Sequence, residues 1–299
     1  MKFGVMFANT GFGSSPDGAV AIAQAAEAGG FETLWTVEHV VVPSGYESPY
    51  PYDPSGKMAG GLEVFDLPDP LMWLAYVAGR TDRIRLGTGV LVLPQRNVVV
   101  TAKEIATLDH LSGGRVTLGV GAGWLAEEFA ALGVPFDERG KRLDEYIDVL
   151  RELWSPAADP EKSSVAGRFV TFADCIMRPR PANGTVPIVI GGHSEAAAKR
   201  AGRLGDGFFP SIGSQVDTVP LFDVVRRTAE AAGRDPKSIE IMAGCPDLLP
   251  GSGKDPRPAI EERARQGVGR IVLPVWRFQP DLEDNLSRFG RTIIRPFSS

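Results

Sequence analysis

The sequence predicts a parallel β/α barrel of eight strands, a TIM barrel, built as one domain over residues 1–299. Three observations predict it. Short apolar runs alternate with stretches of helical periodicity, an order that calls for parallel strands joined by helical crossovers. The alternation occurs eight times. The chain, at 299 residues, has a length that barrels commonly reach as one domain. An open doubly wound sheet uses the same units. However, the glycines after the first apolar run, Asn9-Thr10-Gly11-Phe12-Gly13, lack the Gly-x-Gly-x-x-Gly spacing of a dinucleotide turn.

Each element follows from local signals. Lys2–Phe7 reads as the first strand. Ser15 caps a helix whose first turn holds Pro16 and which Gly29 ends. Thr33–Val37 is the second strand. A long loop follows, and Asp69-Pro70 opens a helix ending near Gly79. Ile84–Gly89 is the third strand, with a helix over Val98–Leu111. Arg115–Val120 is the fourth. Leu143, Ile147, Leu150 and Trp154 then form one apolar stripe on a helix over Asp137–Trp154, with Arg142, Asp144, Glu145 and Asp148 on its wetter faces. The repeat is interrupted by a turn-rich stretch at Pro156–Pro160 and a hairpin around Gly167, from Ser163–Val165 and Arg168–Phe172. The insertions therefore follow strands two and four. Strands five to eight are Pro187–Ile190, Asp206–Phe209, Ile239–Ala243 and Arg270–Val275. Their helices cover Ser194–Leu204, Val216–Ala232, Ala259–Gln266 and Asp281–Phe289.

Composition removes several function classes. A net charge of −5 lacks the basic excess of a nucleic-acid binder. No apolar run reaches membrane-spanning length, and the N-terminus has no signal-peptide core, so a cytoplasmic enzyme is expected. Cys175 and Cys245 read as reduced core thiols. His39, His110 and His193 form no metal-binding spacing, so no metal site is expected.

Barrels keep their chemistry at the carboxyl ends of the strands, and the informative residues fall there. Glu38-His39 follows strand two; an imidazole exchanges protons near neutral pH and an adjacent carboxylate can orient it. The loop Val40–Leu67 carries Pro43, Pro49, Pro51, Pro54 and Tyr46, Tyr50, Tyr52, which reads as a lid. Leu86-Gly87-Thr88-Gly89-Val90 ends strand three with glycines that suggest a bulge or a close approach. In Gly119-Val120-Gly121-Ala122-Gly123-Trp124 alternate glycines bare one strand face, against which a flat ligand could lie. Gly191-Gly192-His193-Ser194 joins strand five to a capped helix N-terminus, a candidate phosphate site. Tight packing and ordinary capping account for the same glycines and serine equally well.

These motifs, with Glu127-Glu128-Phe129, Leu132-Gly133-Val134-Pro135, Arg139, Arg142 and Glu145, resemble in order and spacing the luciferase-like monooxygenase superfamily, and within it the branch using the deazaflavin coenzyme F420. The resemblance implies an oxidoreductase that moves a hydride between F420 and a small organic substrate. It implies His39 as acid/base, with Glu38 orienting it or touching the cofactor. Thr88, Gly89, Val90, Gly121, Gly123 and Trp124 would then lie against the ring, and Gly191, Gly192, His193 and Ser194 about the phosphate. It further implies a non-proline cis bond at Gly89–Val90, and often a homodimer. Two departures stand out. Trp124 occupies the position of a carboxylate in the sugar-phosphate dehydrogenases of this branch, and Leu125 stands where many relatives carry Asn. A reduced-FMN monooxygenase using oxygen is the alternative, and a non-catalytic flavin- or deazaflavin-binding protein is a third reading.

Overall fold

A computed structural model of the chain describes residues 1–155, 161–210 and 217–297. Pro156–Pro160 and the expected helix start at Val216 lie outside the described residues. Eight strands form the barrel: β1 Lys2–Met6, β2 Thr33–Thr36, β3 Arg85–Thr88, β4 Val116–Gly121, β5 Ile188–Gly191, β6 Gly207–Phe209, β7 Glu240–Ala243 and β8 Val268–Pro274. Each pairs in parallel with the next, and β8 returns to β1, so the sheet closes.

Helices follow the strands: α1 Pro16–Ala28, α2 Pro70–Ala78, α3 Val98–Leu111, α4 Arg139–Trp154, α5 Glu195–Leu204, α6 Val219–Ala231, α7 Pro256–Arg265 and α8 Leu282–Phe289. Their starts are chemical. Ser15, Asp69, Asn97, Ser194 and Asp255 each accept a bond from a first-turn N–H. The helix expected from Ala259 begins at Pro256, because Asp255-Pro256 is itself a cap followed by a first-turn proline. A short helix, Ala126–Ala131, also precedes α4. Both expected insertions are present, the second ending in a hairpin of Ser163–Ala166 and Thr171–Cys175. Glu145 braces that hairpin, its carboxylate accepting the N–H groups of Arg168, Phe169 and Val170. Cys175 lies exposed on it rather than in the core; Cys245 is buried.

Strand residues alternate between two cores. Phe3, Val5, Leu34, Leu86, Leu118, Ile188 and Ile271 face the helices. Met6, Trp35, Val189, Phe209, Met242 and Val272 fill the barrel interior. Trp35 takes the space that glycines vacate: a Cβ on Gly4 would stand 2.8 Å from its Nε1, and one on Gly87 2.5 Å from its Cε3. Below it, buried Arg270 pairs with Glu32 at 2.6 Å and Glu240 at 3.1 Å, while Lys2 reaches Glu240 at 2.8 Å. The amino-terminal end is therefore plugged by charge and the middle by indole. What opens to solvent is the carboxyl-terminal mouth.

Because Trp35 is fully buried, Trp35→Ala is expected to cost about 3–5 kcal/mol, measured as a lower midpoint in urea unfolding.

Candidate active site at the carboxyl ends of the strands

Glu38 and His39 leave β2 in extended chain, so their side chains diverge. Glu38 is buried and points to the bulge side. One carboxylate oxygen takes Nε of Arg96 at 2.9 Å and also its Nη2; the other takes the backbone N–H of Val92. Burial pushes the Glu38 carboxyl up, and Arg96 with the Val92 N–H pulls the other way. Three donors and no acceptor face it, so the ionised form fits these contacts. His39 turns the opposite way, its Nδ1 standing 3.0 Å from Oε2 of Glu128. The expectation that Glu38 orients His39 is therefore corrected: the orienting carboxylate is Glu128, from the inserted helix. An ionised partner at Nδ1 selects the tautomer with its proton there and leaves Nε2 with a lone pair.

Glu128 does more than hold the ring. Its Oε1 accepts the N–H groups of Val40 at 2.6 Å and Val41 at 3.3 Å. Burial would raise this carboxyl, but the His39 contact and backbone bonds outweigh it, and it lies below its ordinary value. Glu127 accepts the N–H groups of Glu47 and Ser48 at 2.7 and 2.9 Å. Its carboxyl, bonded first by Ser48, is held down at about 2. Two consecutive carboxylates thus fasten the first third of the loop. Its base is fastened by Asn9, whose amide joins Val37 to Pro68, and by Arg96, which links Glu38 to Asp69 at 2.8 Å.

The loop tyrosines reach the strand ends and meet aromatic rings there. Tyr46 and Tyr50 meet Trp124 edge-on with centroids 5.5 and 5.1 Å apart, and Trp124 also meets the His39 ring at 5.7 Å. Tyr50 contacts Tyr52, and Tyr52 contacts His193 at 4.8 Å. The β5 turn needs its second glycine, since Gly192 has φ +121°. Ser194 caps α5 by accepting the Ala197 N–H at 3.2 Å. Burial pushes His193 below its ordinary value, and its Nδ1 has no hydrogen-bond partner among the described residues.

The bulge after β3 carries the cis peptide at Gly89–Val90. The isopropyl group of Val90 fills the faces bared by Gly121 and Gly191: a Cβ on either would stand 2.6 or 2.3 Å from its methyl groups. Gly123, at φ +84°, is backed by Phe129 and Val92. The bare glycine face is thus a socket for Val90, and it is Val90, half-buried, that meets the mouth. The Thr88 hydroxyl donates to the Gly119 carbonyl at 2.7 Å. Sequence reasoning missed Arg96, Asn9 and Gln95. Gln95 is buried in the turn after the bulge, near Glu128, with neither amide atom in hydrogen-bond geometry. The one signal for these residues was their position at a strand end.

Fold and geometry together give a parallel β/α barrel with, at the carboxyl ends of its strands, an imidazole held by a buried carboxylate. The family model for luciferase-like monooxygenases matches residues 1–249, and the chain belongs to that family. It is 34% identical over 290 residues to an uncharacterised protein of Mycobacterium tuberculosis, covering 92% of this chain and 94% of that one. It is 33% identical over 231 residues to an F420-dependent glucose-6-phosphate dehydrogenase of Amycolatopsis mediterranei, covering 75% of this chain and 63% of that enzyme. The fold matches the coenzyme F420 dependent tetrahydromethanopterin reductase of Methanopyrus kandleri with a TM-score of 0.75, at 20% identity and with 99% of each chain covered. Among the described residues no helix is long and apolar enough to cross a membrane, and no group of three or more His, Cys, Asp or Glu side chains gathers as a metal site would.

Glu128→Gln keeps the shape but loses the charge that holds three donors, and is expected to cost about 1–3 kcal/mol near neutral pH. Because the folded value is depressed, that difference should be complete above the ordinary glutamate value of 4.5 and shrink as pH falls through the lower folded one. Parallel denaturant titrations of both proteins from pH 7 downward measure it.

Proposed function

We propose that this protein is an F420-dependent oxidoreductase that transfers a hydride between the deazaflavin and a small organic substrate. The observation that carries the reading is the imidazole of His39, held through Nδ1 by buried Glu128 beside Trp124 at the barrel mouth. Membership of the luciferase-like family and identity to an F420-dependent dehydrogenase support the cofactor.

The residues present fit such a group. The buried Nδ1 of His193, whose ring meets Tyr52, has no hydrogen-bond partner among the described residues. Val90 offers an apolar surface, with Gly89 and Thr88 behind it. Trp124 borders that surface, and the Gly121 and Gly123 backbone supports it. The Gly191-Gly192 turn, His193 and the Ser194-capped start of α5 would receive the phosphate through backbone N–H groups and the helix dipole. Bound there, the deazaflavin would supply hydride chemistry at C5. His39 would hold or release a proton at Nε2. Glu128 fixes the ring; Glu38 acts at one remove, locking Arg96 and the turn after the bulge. The loop tyrosines would exclude water. The aromatic surroundings of Trp124 favour an apolar organic substrate over a sugar phosphate. Neighbouring α2 and α3 expose Met72, Tyr76, Val99 and Val100, which suits a homodimer face; sedimentation of the purified chain tests it.

Titrating F420 with purified protein should quench its fluorescence saturably, and FMN should compete poorly. Tight FMN binding with oxygen consumption would favour the monooxygenase reading instead, and no response to either cofactor would end both. His39→Ala should retain F420 binding within a few-fold while turnover of a found substrate falls by roughly 10²–10⁴.

A further inference from the structure

On the side of the mouth away from His39, the ends of β1, β7 and β8 and the loop enclose a cavity of about 280 Å³. Its walls include Phe7, Val272, Leu249 and Trp276, and its lining also takes in Tyr50 and Tyr52. Two independent observations mark it. Phe7 has φ +64°, a left-handed conformation rare for a bulky residue and associated with functional sites. Its ring meets that of Trp276 at 4.4 Å, yet Trp276 remains 49% exposed just after β8. An aromatic pair left open at a barrel mouth is a surface waiting for a partner.

The two charged side chains at the rim, Lys57 and Asp53, are opposite in sign, so the rim carries no net charge, and each has a contact within the loop. Lys57 donates to the Tyr46 carbonyl at 2.6 Å and covers the Tyr46 ring, and Asp53 accepts from Ser55. The hydroxyls of Tyr50 and Tyr52 bond to no described protein group. Burial pushes both phenols up, Tyr50 to about 12, so they stay neutral. The volume lies just below the range of about 300–1,000 Å³ usual for ligand pockets, which suits one or two rings. We infer that this cavity is the substrate compartment, and that it takes a flat, uncharged aromatic molecule of one or two rings carrying a hydroxyl or carbonyl oxygen. The rings lie against Phe7 and Trp276, and the oxygen meets the tyrosine hydroxyls. Tyr50 touches Trp124 on its other side, so the occupant sits one ring away from the His39 side. The name substrate rests on the oxidoreductase reading; the occupancy does not.

The test uses 2-naphthol with the full-length protein, followed by fluorescence, and F420 binding measured on the same samples. Wild type should bind 2-naphthol saturably and anionic 2-naphthoate at least tenfold more weakly, because an apolar cavity penalises a buried charge. Trp276→Ala should weaken 2-naphthol at least tenfold while leaving F420 quenching unchanged. Trp276→Phe should restore most of the binding, and Val64→Ser, on the loop surface, should have no effect. Matching thermal transitions establish that the variants fold. Naphthoate binding as tight as naphthol, absence of naphthol binding, or binding indifferent to Trp276→Ala with Trp276→Phe no different would each overturn the proposal. Loss of F420 binding with Trp276-dependent naphthol binding intact would instead overturn the cofactor and leave the compartment.

Discussion

The mouth of this barrel depends on one constraint: the buried carboxylate of Glu128 gathers three donors from a segment of three residues. His39 Nδ1 and the N–H groups of Val40 and Val41 all end on it. A carboxylate taken from water is costly unless such donors replace its hydration. A loop leaving a strand end has N–H groups that no neighbouring strand satisfies. Each therefore meets the other's requirement, and the position of the imidazole follows. Glu38 repeats the arrangement on the opposite side, with Arg96 and the Val92 N–H as donors. The acid–base candidate and the bulge are thus registered against each other through the backbone of residues 38–41.

Beneath this ring the interior is filled unevenly, and the unevenness decides where a ligand can go. Trp35 occupies the middle because Gly4 and Gly87 have no Cβ to oppose it. Gly121 and Gly191 in turn leave room for Val90, which rises from the bulge as the apolar surface on that side of the mouth. On the other side Val272 contributes to the cavity wall and Phe7 is turned by its left-handed backbone toward Trp276. Loop aromatics divide the two halves. The mouth accordingly has a side with the Gly191-Gly192 turn and the capped start of α5, and a side lined mostly by aromatic and aliphatic groups with Lys57 and Asp53 at its rim.

The barrel was legible because its determinants are local. Caps such as Ser15, Asp69 and Asn97 act within one turn, and alternation along a strand is written in successive residues. The long loop after strand two was legible from its length and its tyrosines for the same reason. The site was only half legible. Neighbours in sequence are poor guides to neighbours in space in extended chain, where Glu38 and His39 point apart, and the true partner of His39 stands 89 positions away. The glycines after β4 could be recognised as a bare face but not as the socket of Val90. Which side chain fills such a face depends on a pairing between β3 and β4 that no periodicity records. Arg96 and Asn9 are single polar residues without motif, and their roles exist only once both ends of the loop are brought together.

The distribution of these anchors also constrains how anything enters. Asn9 and Arg96 fix the base of the loop, and Glu127 and Glu128 fix residues 40, 41, 47 and 48. From Tyr50 to Gly56 the described hydrogen bonds are internal to the loop, Tyr50 N–H to Gly56 and Gly56 N–H to Asp53, with Ser55 on Asp53. Beyond these, Tyr50 and Tyr52 make edge-on ring contacts with Trp124 and His193, and Tyr50 packs against the cluster of Tyr46, Met58 and Leu125. Such contacts are worth about 0.5–1.5 kcal/mol each, far less than the charge-assisted bonds at the base. The ring contacts at the tip are therefore separate from the bond that fixes His39, because Glu128, the carboxylate that orients the ring, bonds outside the segment from Tyr50 to Gly56. An incoming aromatic ring could exchange contacts with the same tyrosines, replacing one set of edges with another. A rigid imidazole and an adaptable aromatic roof can coexist in one loop for this reason: its polar anchors and its ring contacts are carried by different residues.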